Sequence, residues 1–545
     1  MASGVWPSQP ILAACAAASL FPDSKSLVDR PLKLSRRKVA AAFDELTKSG
    51  KRKLSDSTVL DFVDEHFLEI GSDLVRWEPE DWTAKTDDWL PLLQDPMREW
   101  AFDLNKLWRS LCRKTGNAVT SHPDRHSLIG LPHPMLIAGD RFLEIYYWDS
   151  YWIVKGLLVC GMVTSAEHQI RNLLSMVERF GHVPNGSRVY YLNRSQPPLL
   201  SAMVKLLWEE EKSMDFLRHA VPLLMKEYEY WTSGHHVVKV IGRSGRSHVL
   251  SRYWAAWESP RSESYREDCQ TAEESSRPSH EVWRDIASCA ESGWDFSSRW
   301  LGDGNNLHSV QTTKVVPVDL NAFLFRTEKI LIEFLLLLDA ESSRARQLEE
   351  RVAERQLAFD DVFWDAGSAQ WRDFVIGEQT EQGLKGKPTE DPFISNWFPA
   401  WAGIEPGFDP SSQGPSRRAS GDAIVQSLTN SGLILPGGVA TSLNQTGHQW
   451  DFPNAWPPCQ EILIEGMRNV GTSGEKLAEE LAIKWLQTNF LAWQKGDQQM
   501  HEKYDSETPG SAGGGGEYAP QVGFGWTNGV ALVLLERFEH RFPRN

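Results

Sequence analysis

Stretch after stretch of this chain places its apolar residues three and four positions apart, and almost none alternates with a period of two. Between 165 and 180, Ile170, Leu173, Leu174, Val177 and Phe180 fall on one helical face, with Glu167, Arg171 and Glu178 largely off it. Similar stripes recur in 198–210, 213–231, 320–339, 344–363, 422–431 and 473–493. Helices of this length, joined by long loops rich in Gly, Pro and Trp, predict a large all-α domain whose loops carry the chemistry. No fixed-period repeat is evident, which disfavours a solenoid of tandem units. Residues 1–30 are expected to form an N-terminal tail, partly mobile. A single domain over 31–545 follows, with long inserted loops near 243–284 and 374–418, the second tethered by the aromatic patch 394–401.

Charge narrows the possible partners. With 57 Lys and Arg against 73 Asp and Glu, the net charge of −16 repels phosphate backbones and anionic membrane surfaces, so a general role on nucleic acid or lipid is disfavoured. A neutral polyhydroxylated ligand meets no such barrier. The 24 tryptophans suit either core packing or the flat faces of sugar rings. Six cysteines lie far apart with no metal-ligand spacing, so they read as free buried thiols, and neither metal nor cofactor is expected. The apolar stretch 11–21 is too short to span a bilayer and has no basic residue before it. Of three glycosylation patterns, those at Asn185 and Asn193 fall in a candidate site loop, leaving Asn444 as the plausible acceptor. The compartment stays open, a cytoplasmic location being favoured over secretion or the cell surface.

Chemistry concentrates in a few loops. In 501–529, Glu502 and Glu517 bracket the run Gly513–Gly516, with Phe524 and Trp526 close behind. Carboxylates beside aromatic rings and close-lying backbone suit a sugar site, and a flexible linker with solvated acids fits equally well. In 141–151, Arg141 and Asp149 could fork onto hydroxyls and Trp148 could stack, or the segment is a helix start packed by aromatics. The loop 185–198 carries Asn185, Arg194, Ser195 and Gln196 and reads as either a binding or a polar loop. Arg261, Ser262 and Glu263 fit a cleft or, more commonly, a surface ion pair. Asp295 follows Gly293 and is flanked by Trp294 and Phe296, a setting that raises a carboxyl pKa and makes a proton donor; the alternative is a cap on the helix near Ser297. Trp450 in 449–458 is a sugar platform or, more commonly, a plug between helices.

Together and in order, these segments resemble the inverting trehalases of glycoside hydrolase family 37. The run ending YYWDSY (141–151) and the QWD-x-P-x-x-W run (449–456) correspond to the two family signatures; ESGWDFSSRW, PNGSRVYYLNRSQPP, EKYD and GGGGEY match as well. The resemblance extends from LFPDSK near Leu20 to about Arg537. It implies an (α/α)6 barrel with long catalytic loops, and hydrolysis of α,α-trehalose to two glucoses with inversion, without metal or cofactor, by a chain expected to be a monomer. It gives Asp295 the place of general acid and Glu502 that of general base. Sugar contacts are implied for Arg141, Trp148, Asp149, Asn185, Arg194, Ser195, Gln196, Arg261, Ser262, Glu263, Gly293 and Glu517, with Trp450 nearby. The family's Pro-Gly-Gly ahead of the arginine is replaced here by Ala138-Gly139-Asp140, which bears on affinity. Rival readings are a glycosidase or phosphorylase for another glucoside, and a sugar-binding protein without turnover.

Overall fold

Six helices are buried and touch one another in a closed ring. Asp149–Val159 packs on Leu200–Glu211, which packs on Val318–Leu338; the ring continues through the short Phe398–Trp401, then Pro457–Arg468 and Gly525–Phe538, and the last returns to the first. An outer helix follows each of the first five in the chain: Val163–Phe180, Met214–Trp231, Ser343–Ala358, Gly421–Thr429 and Thr472–Lys495. Met97–Leu111, which precedes them all, covers Gly525–Phe538, and Gly421–Thr429 leans on Thr472–Lys495. This is an (α/α)6 barrel. The computed structural model describes residues 5–48, 54–84, 90, 92–139, 141–407, 421–496, 498–516 and 521–541.

Sequence dictates which helices go inside. Asp149–Val159 buries Tyr151, Trp152, Ile153, Val154 and Leu157, leaving no polar face, as a helix enclosed on all sides requires. Val163–Phe180 is amphipathic as expected: Ile170, Leu173, Leu174 and Val177 are buried and Glu178 is exposed. The ring closes where glycines meet. A β-carbon on Gly529 would lie 2.0 Å from the carbonyl oxygen of Trp152, and one on Gly156 would lie 2.6 Å from the Cα of Gly529. Only residues without side chains allow backbones that close.

Strands are more common than the periodicity suggested. A five-stranded sheet runs in the order Ser247–Ser251, Val237–Ile241, Leu384–Pro388, Phe374–Gln379 and Val315–Val316, antiparallel except where Leu384–Pro388 meets Val237–Ile241. Both segments expected as inserted loops contribute to it. The first also holds the helix Tyr265–Glu274 and the start of Ser279–Ser292; residues 408–418 of the second lie outside the described residues.

Residues 5–30 carry the helix Gln9–Ala17, and Trp6, Ile11, Leu12 and Cys15 form a second core with Val39, Phe43, Phe62, Tyr190 and Tyr191. Lys25 and Asp29 are buried with Glu144 and Arg188: Lys25 Nζ reaches Glu144 at 2.5 Å and Asp29 at 2.8 Å, and Arg188 Nε reaches Glu144 at 2.7 Å. Lysine and arginine are thus set against two carboxyls in one buried cluster, with Arg188 Nη2 alone lacking a hydrogen-bond partner among the described residues of that cluster. All six cysteines are free, Cys269 alone being partly exposed. Among the described residues no helix is long and apolar enough to cross a membrane.

Candidate active site

The loops that lead into the inner helices converge on one cleft open to solvent at its mouth, the concave form typical of small-molecule sites. Arg141, Trp148 and Asp149 come from the entry to Asp149–Val159; Asn185, Arg194 and Gln196 from the entry to Leu200–Glu211; Arg261, Glu263, Gly293 and Asp295 from the long connection before Val318–Leu338. Trp450 precedes Pro457–Arg468, and Glu502 precedes Gly525–Phe538. Six stretches far apart in sequence thus meet because the barrel brings the starts of its inner helices together.

Asp295 owes its position to Gly293. The helix Ser279–Ser292 ends there with φ at +76°, and a β-carbon would lie 2.8 Å from Trp148 Cζ2; both the left-handed turn and the indole require glycine. Ser297, not Asp295, caps the short helix Ser298–Trp300, its hydroxyl accepting from Arg299 N at 3.2 Å. Asp451 pins the same turn, accepting from Ser297 Oγ at 3.0 Å and Ser298 N at 2.7 Å. Asp295 keeps part of its surface open to the cleft and is otherwise enclosed by protein. That burial pushes its carboxyl up to about 6, against the pull of the Arg261 and Arg194 guanidiniums and with a further push from Glu263.

Glu502 is 2 % exposed. Its backbone N–H donates to Gln521 O at 2.9 Å, its carbonyl accepts from Trp526 Nε1 at 3.0 Å, and its carboxylate accepts from Gln521 N at 3.3 Å. Asp149 is equally enclosed, and burial, then the charges of Glu502 and Asp295, hold its carboxyl well above the usual range. Three carboxyls therefore line one cleft, and burial holds the protons of Asp149 and Asp295 above the ordinary carboxyl range.

The basic side chains are held by acids. Arg194 donates from Nε to Asn185 Oδ1 at 2.8 Å and from Nη2 to Glu263 Oε1 at 2.6 Å. Its Nη1 and the Oε2 of Glu263 are buried without a hydrogen-bond partner among the described residues, so a donor and an acceptor stand ready for a ligand's hydroxyls. Arg261 forks onto Asp268 with contacts of 2.7, 3.0 and 3.2 Å, and Arg141 donates to Asp23 at 2.6 Å. Arg261 and Glu263 are thus buried with separate partners and do not form a surface pair. Gln196 lies at the wall, its Oε1 accepting from Trp148 N at 3.2 Å.

Trp450 sits between two indoles. Trp456 stacks on it at 3.9 Å with planes 1° apart, and Trp294 lies 5.2 Å away at 17°. With both faces occupied, it meets the cleft by its edge and forms part of the floor, together with Trp148 and Trp526. Two candidates lie behind the wall. Ser195 donates its hydroxyl to Val183 O at 2.6 Å and its N–H to Glu291 at 3.0 Å, while the Ser262 hydroxyl accepts from Trp6 N at 3.0 Å. Glu517 and Asp140 lie outside the described residues.

The sequence reading missed several groups. Asp23 and Lys25 reach the cleft from the N-terminal segment, within the LFPDSK stretch, and Asp268, Glu291, Asp451 and Gln449 hold the functional side chains from behind or alongside. Glu291 alone accepts from Ser195 N, Tyr230 OH and Trp254 N. Its place four residues before Asp295 was the available signal.

Comparison with known proteins agrees with this architecture. The family model described as Trehalase matches residues 19–539. A trehalase of Arabidopsis thaliana is 40 % identical over 527 residues, covering 95 % of this chain and 82 % of its own length. A Homo sapiens trehalase is 38 % identical, covering 96 % and 87 %. The structure of neutral trehalase Nth1 from Saccharomyces cerevisiae superposes with a TM-score of 0.58 at 21 % identity, over 75 % of each chain, and so shares the fold. With its helices closed into a double ring and its motifs gathered at one cleft, the chain belongs to the trehalase family of glycosidases.

Proposed function

We propose that this chain hydrolyses α,α-trehalose to two glucose molecules with inversion, Asp295 acting as general acid and Glu502 as general base. The observation that carries the reading is the pairing of the two carboxyls at one enclosed cleft, with Asp295 held protonated up to about 6. Asp295 gives its proton to the bridging oxygen as the bond from that oxygen to the anomeric carbon breaks. Glu502 takes a proton from the water that attacks the opposite face of that carbon. One glucose leaves as the α-anomer and the other forms as the β-anomer; proton exchange with solvent then restores both carboxyls.

The remaining groups suit two linked sugars. Arg194 Nη1 and Glu263 Oε2 offer unused hydrogen-bonding capacity to hydroxyls, and Trp148, Trp450 and Trp526 give the cleft an aromatic lining against which apolar ring faces can pack. Asp149, whose carboxyl is raised by burial and then by the charges of Glu502 and Asp295, can when protonated donate to a sugar hydroxyl. The test is to follow the anomeric protons by NMR during the first minutes on α,α-trehalose. Equal early α- and β-glucose supports the reading, and intact trehalose rejects it. Dependence of glucose release on phosphate would reveal a phosphorylase. Asp295→Asn and Glu502→Gln are each expected to fold and to lose most turnover.

A further inference from the structure

A buried lysine and an amide tie together the two loops that carry the catalytic carboxyls. Gln449 donates from Nε2 to the backbone carbonyl of Asp295 at 2.6 Å, and its Oε1 accepts from Lys503 Nζ at 2.8 Å. Lys503 follows Glu502 directly, is 0 % exposed, and lies with its ammonium 4.9 Å over the Trp456 ring. Trp456 in turn donates from Nε1 to the Gln449 carbonyl at 2.9 Å. The glycine run lies on the same amide: Gly516 has φ at +93°, and a β-carbon there would lie 2.7 Å from Gln449 Oε1. Gly515 O is 3.4 Å from Lys503 Nζ. The chain from the Asp295 carbonyl through Gln449 to Lys503 is continuous, running from the cleft wall to a lysine fully enclosed by protein.

A fully buried ammonium beside an acid/base pair needs a reason, since burial strips the charge of its hydration. We propose that Gln449 and Lys503 are positioning residues that fix the separation of Asp295 from Glu502, and that the Lys503 charge favours the ionised form of Glu502. The proposal rests on the acid and base assignment above. Among the described residues, Lys503 acts on Glu502 and favours its ionised form, while Asp149, itself held towards its protonated form, opposes it only when ionised; Asp295 shares the cleft. The adjacent His501 is held towards its neutral form by burial. Arg261, Arg194 and Glu263 act on Asp295 from the other side of the cleft. Burial lowers the proton affinity of Lys503 itself, and the carboxylates of Glu502 and Asp295 raise it again.

The test compares Gln449→Leu, Gln449→Glu, Lys503→Met and Lys503→Arg with the wild type, each checked by near-UV circular dichroism. The readouts are kcat, KM and the pH profile of kcat/KM on α,α-trehalose. Expected is a fall in kcat of about tenfold or more in Gln449→Leu and Lys503→Met, with KM changed by less than about threefold. In Lys503→Met the acid limb, where the base becomes protonated, moves to higher pH, and Lys503→Arg returns it. The double variant should lose little more than either single one. Gln449→Glu keeps the volume and the acceptor for Lys503 but not the donor to Asp295 O, so it decides the matter if Gln449→Leu fails to fold. A kcat within about twofold of wild type, an unmoved acid limb, or a rise in KM alone overturns the proposal. Asp295→Asn and Glu502→Gln run alongside: wild-type turnover in either overturns the acid and base assignment itself. Loss in both, with near-normal Gln449 and Lys503 variants, overturns only the clamp.

Discussion

Arg141 donates to Asp23 at 2.6 Å across 118 positions of sequence, and both residues line the cleft. Burial alone would raise the Asp23 carboxyl, but the Arg141 guanidinium, with Ser26 N and Oγ, brings it below its ordinary value. The N-terminal segment therefore contributes to the cleft wall and orients Arg141, the arginine proposed to contact the sugar. Asp23→Ala is expected to raise KM for trehalose about tenfold, the loss of one charge-assisted contact, with a smaller change in kcat. Melting should change little, because the pair sits at the cleft wall and is still partly open to water, where ion pairs contribute little to stability. Steady-state kinetics decides; an unchanged KM would show that Arg141 holds its pose without Asp23.

The barrel was legible because its outer helices repeat an apolar stripe at helical spacing, as Ile170, Leu173, Leu174 and Val177 do. Its closure was not, since Gly156 and Gly529 look like ordinary helix glycines until the two backbones are seen to touch. The strand Phe374–Gln379 escaped for a similar reason: only its first residue is buried and its last three are exposed, so six residues show no clean alternation. In the site, Asp295 and Glu502 stood out by motif. The roles of Trp450, Ser195 and Ser262 depended on which neighbours occupied their faces and hydroxyls, which spacing along the chain does not encode.

The cleft makes a definite statement about pH. The profile of kcat/KM reports groups of the free enzyme, and Asp295 must carry its proton to act as acid. Its carboxyl lies at about 6, so kcat/KM is expected to decline as pH rises through about 6. Arg261 pulls that value down; removing its charge in Arg261→Gln should lower overall activity and move the basic limb to higher pH. Rates measured from about pH 4 to about pH 9 at constant ionic strength test both statements. A basic limb that stays in place in Arg261→Gln would assign it to another group.

Ring closure can be tested by a single methyl group. Gly529→Ala puts a β-carbon 2.0 Å from the Trp152 carbonyl oxygen, so the helices Asp149–Val159 and Gly525–Phe538 must separate. Overpacking of this kind costs about 1–3 kcal/mol, and it displaces the entry loops carrying Trp148 and Trp526. Lower thermal stability and lower kcat should appear together. Gly514→Ala is the control, since a β-carbon there meets nothing within 4 Å. If Gly529→Ala melts with the wild type, the helices are less tightly apposed than this contact requires.

A buried carboxyl with a raised proton affinity, as proposed for the general acid Asp295, is also a source of instability. The folded protein binds the Asp295 proton up to about 6, whereas in the unfolded chain the carboxyl loses it near its ordinary value of 3.8. Between those values the folded state holds more protons than the unfolded state, so this group's stability contribution is full below about 3.8 and is lost as pH rises through about 6. Above that range, folding requires a carboxylate in a setting that disfavours its charge. Asp295→Asn fills the same space without ionising, and should gain roughly 2–3 kcal/mol over wild type at neutral pH while losing most turnover. At pH about 3 the gain should vanish, because both side chains are then neutral. Denaturant unfolding at the two pH values measures the difference. An Asp295→Asn variant no more stable than wild type at neutral pH would mean that Arg261 and Arg194 already offset the burial of the charge.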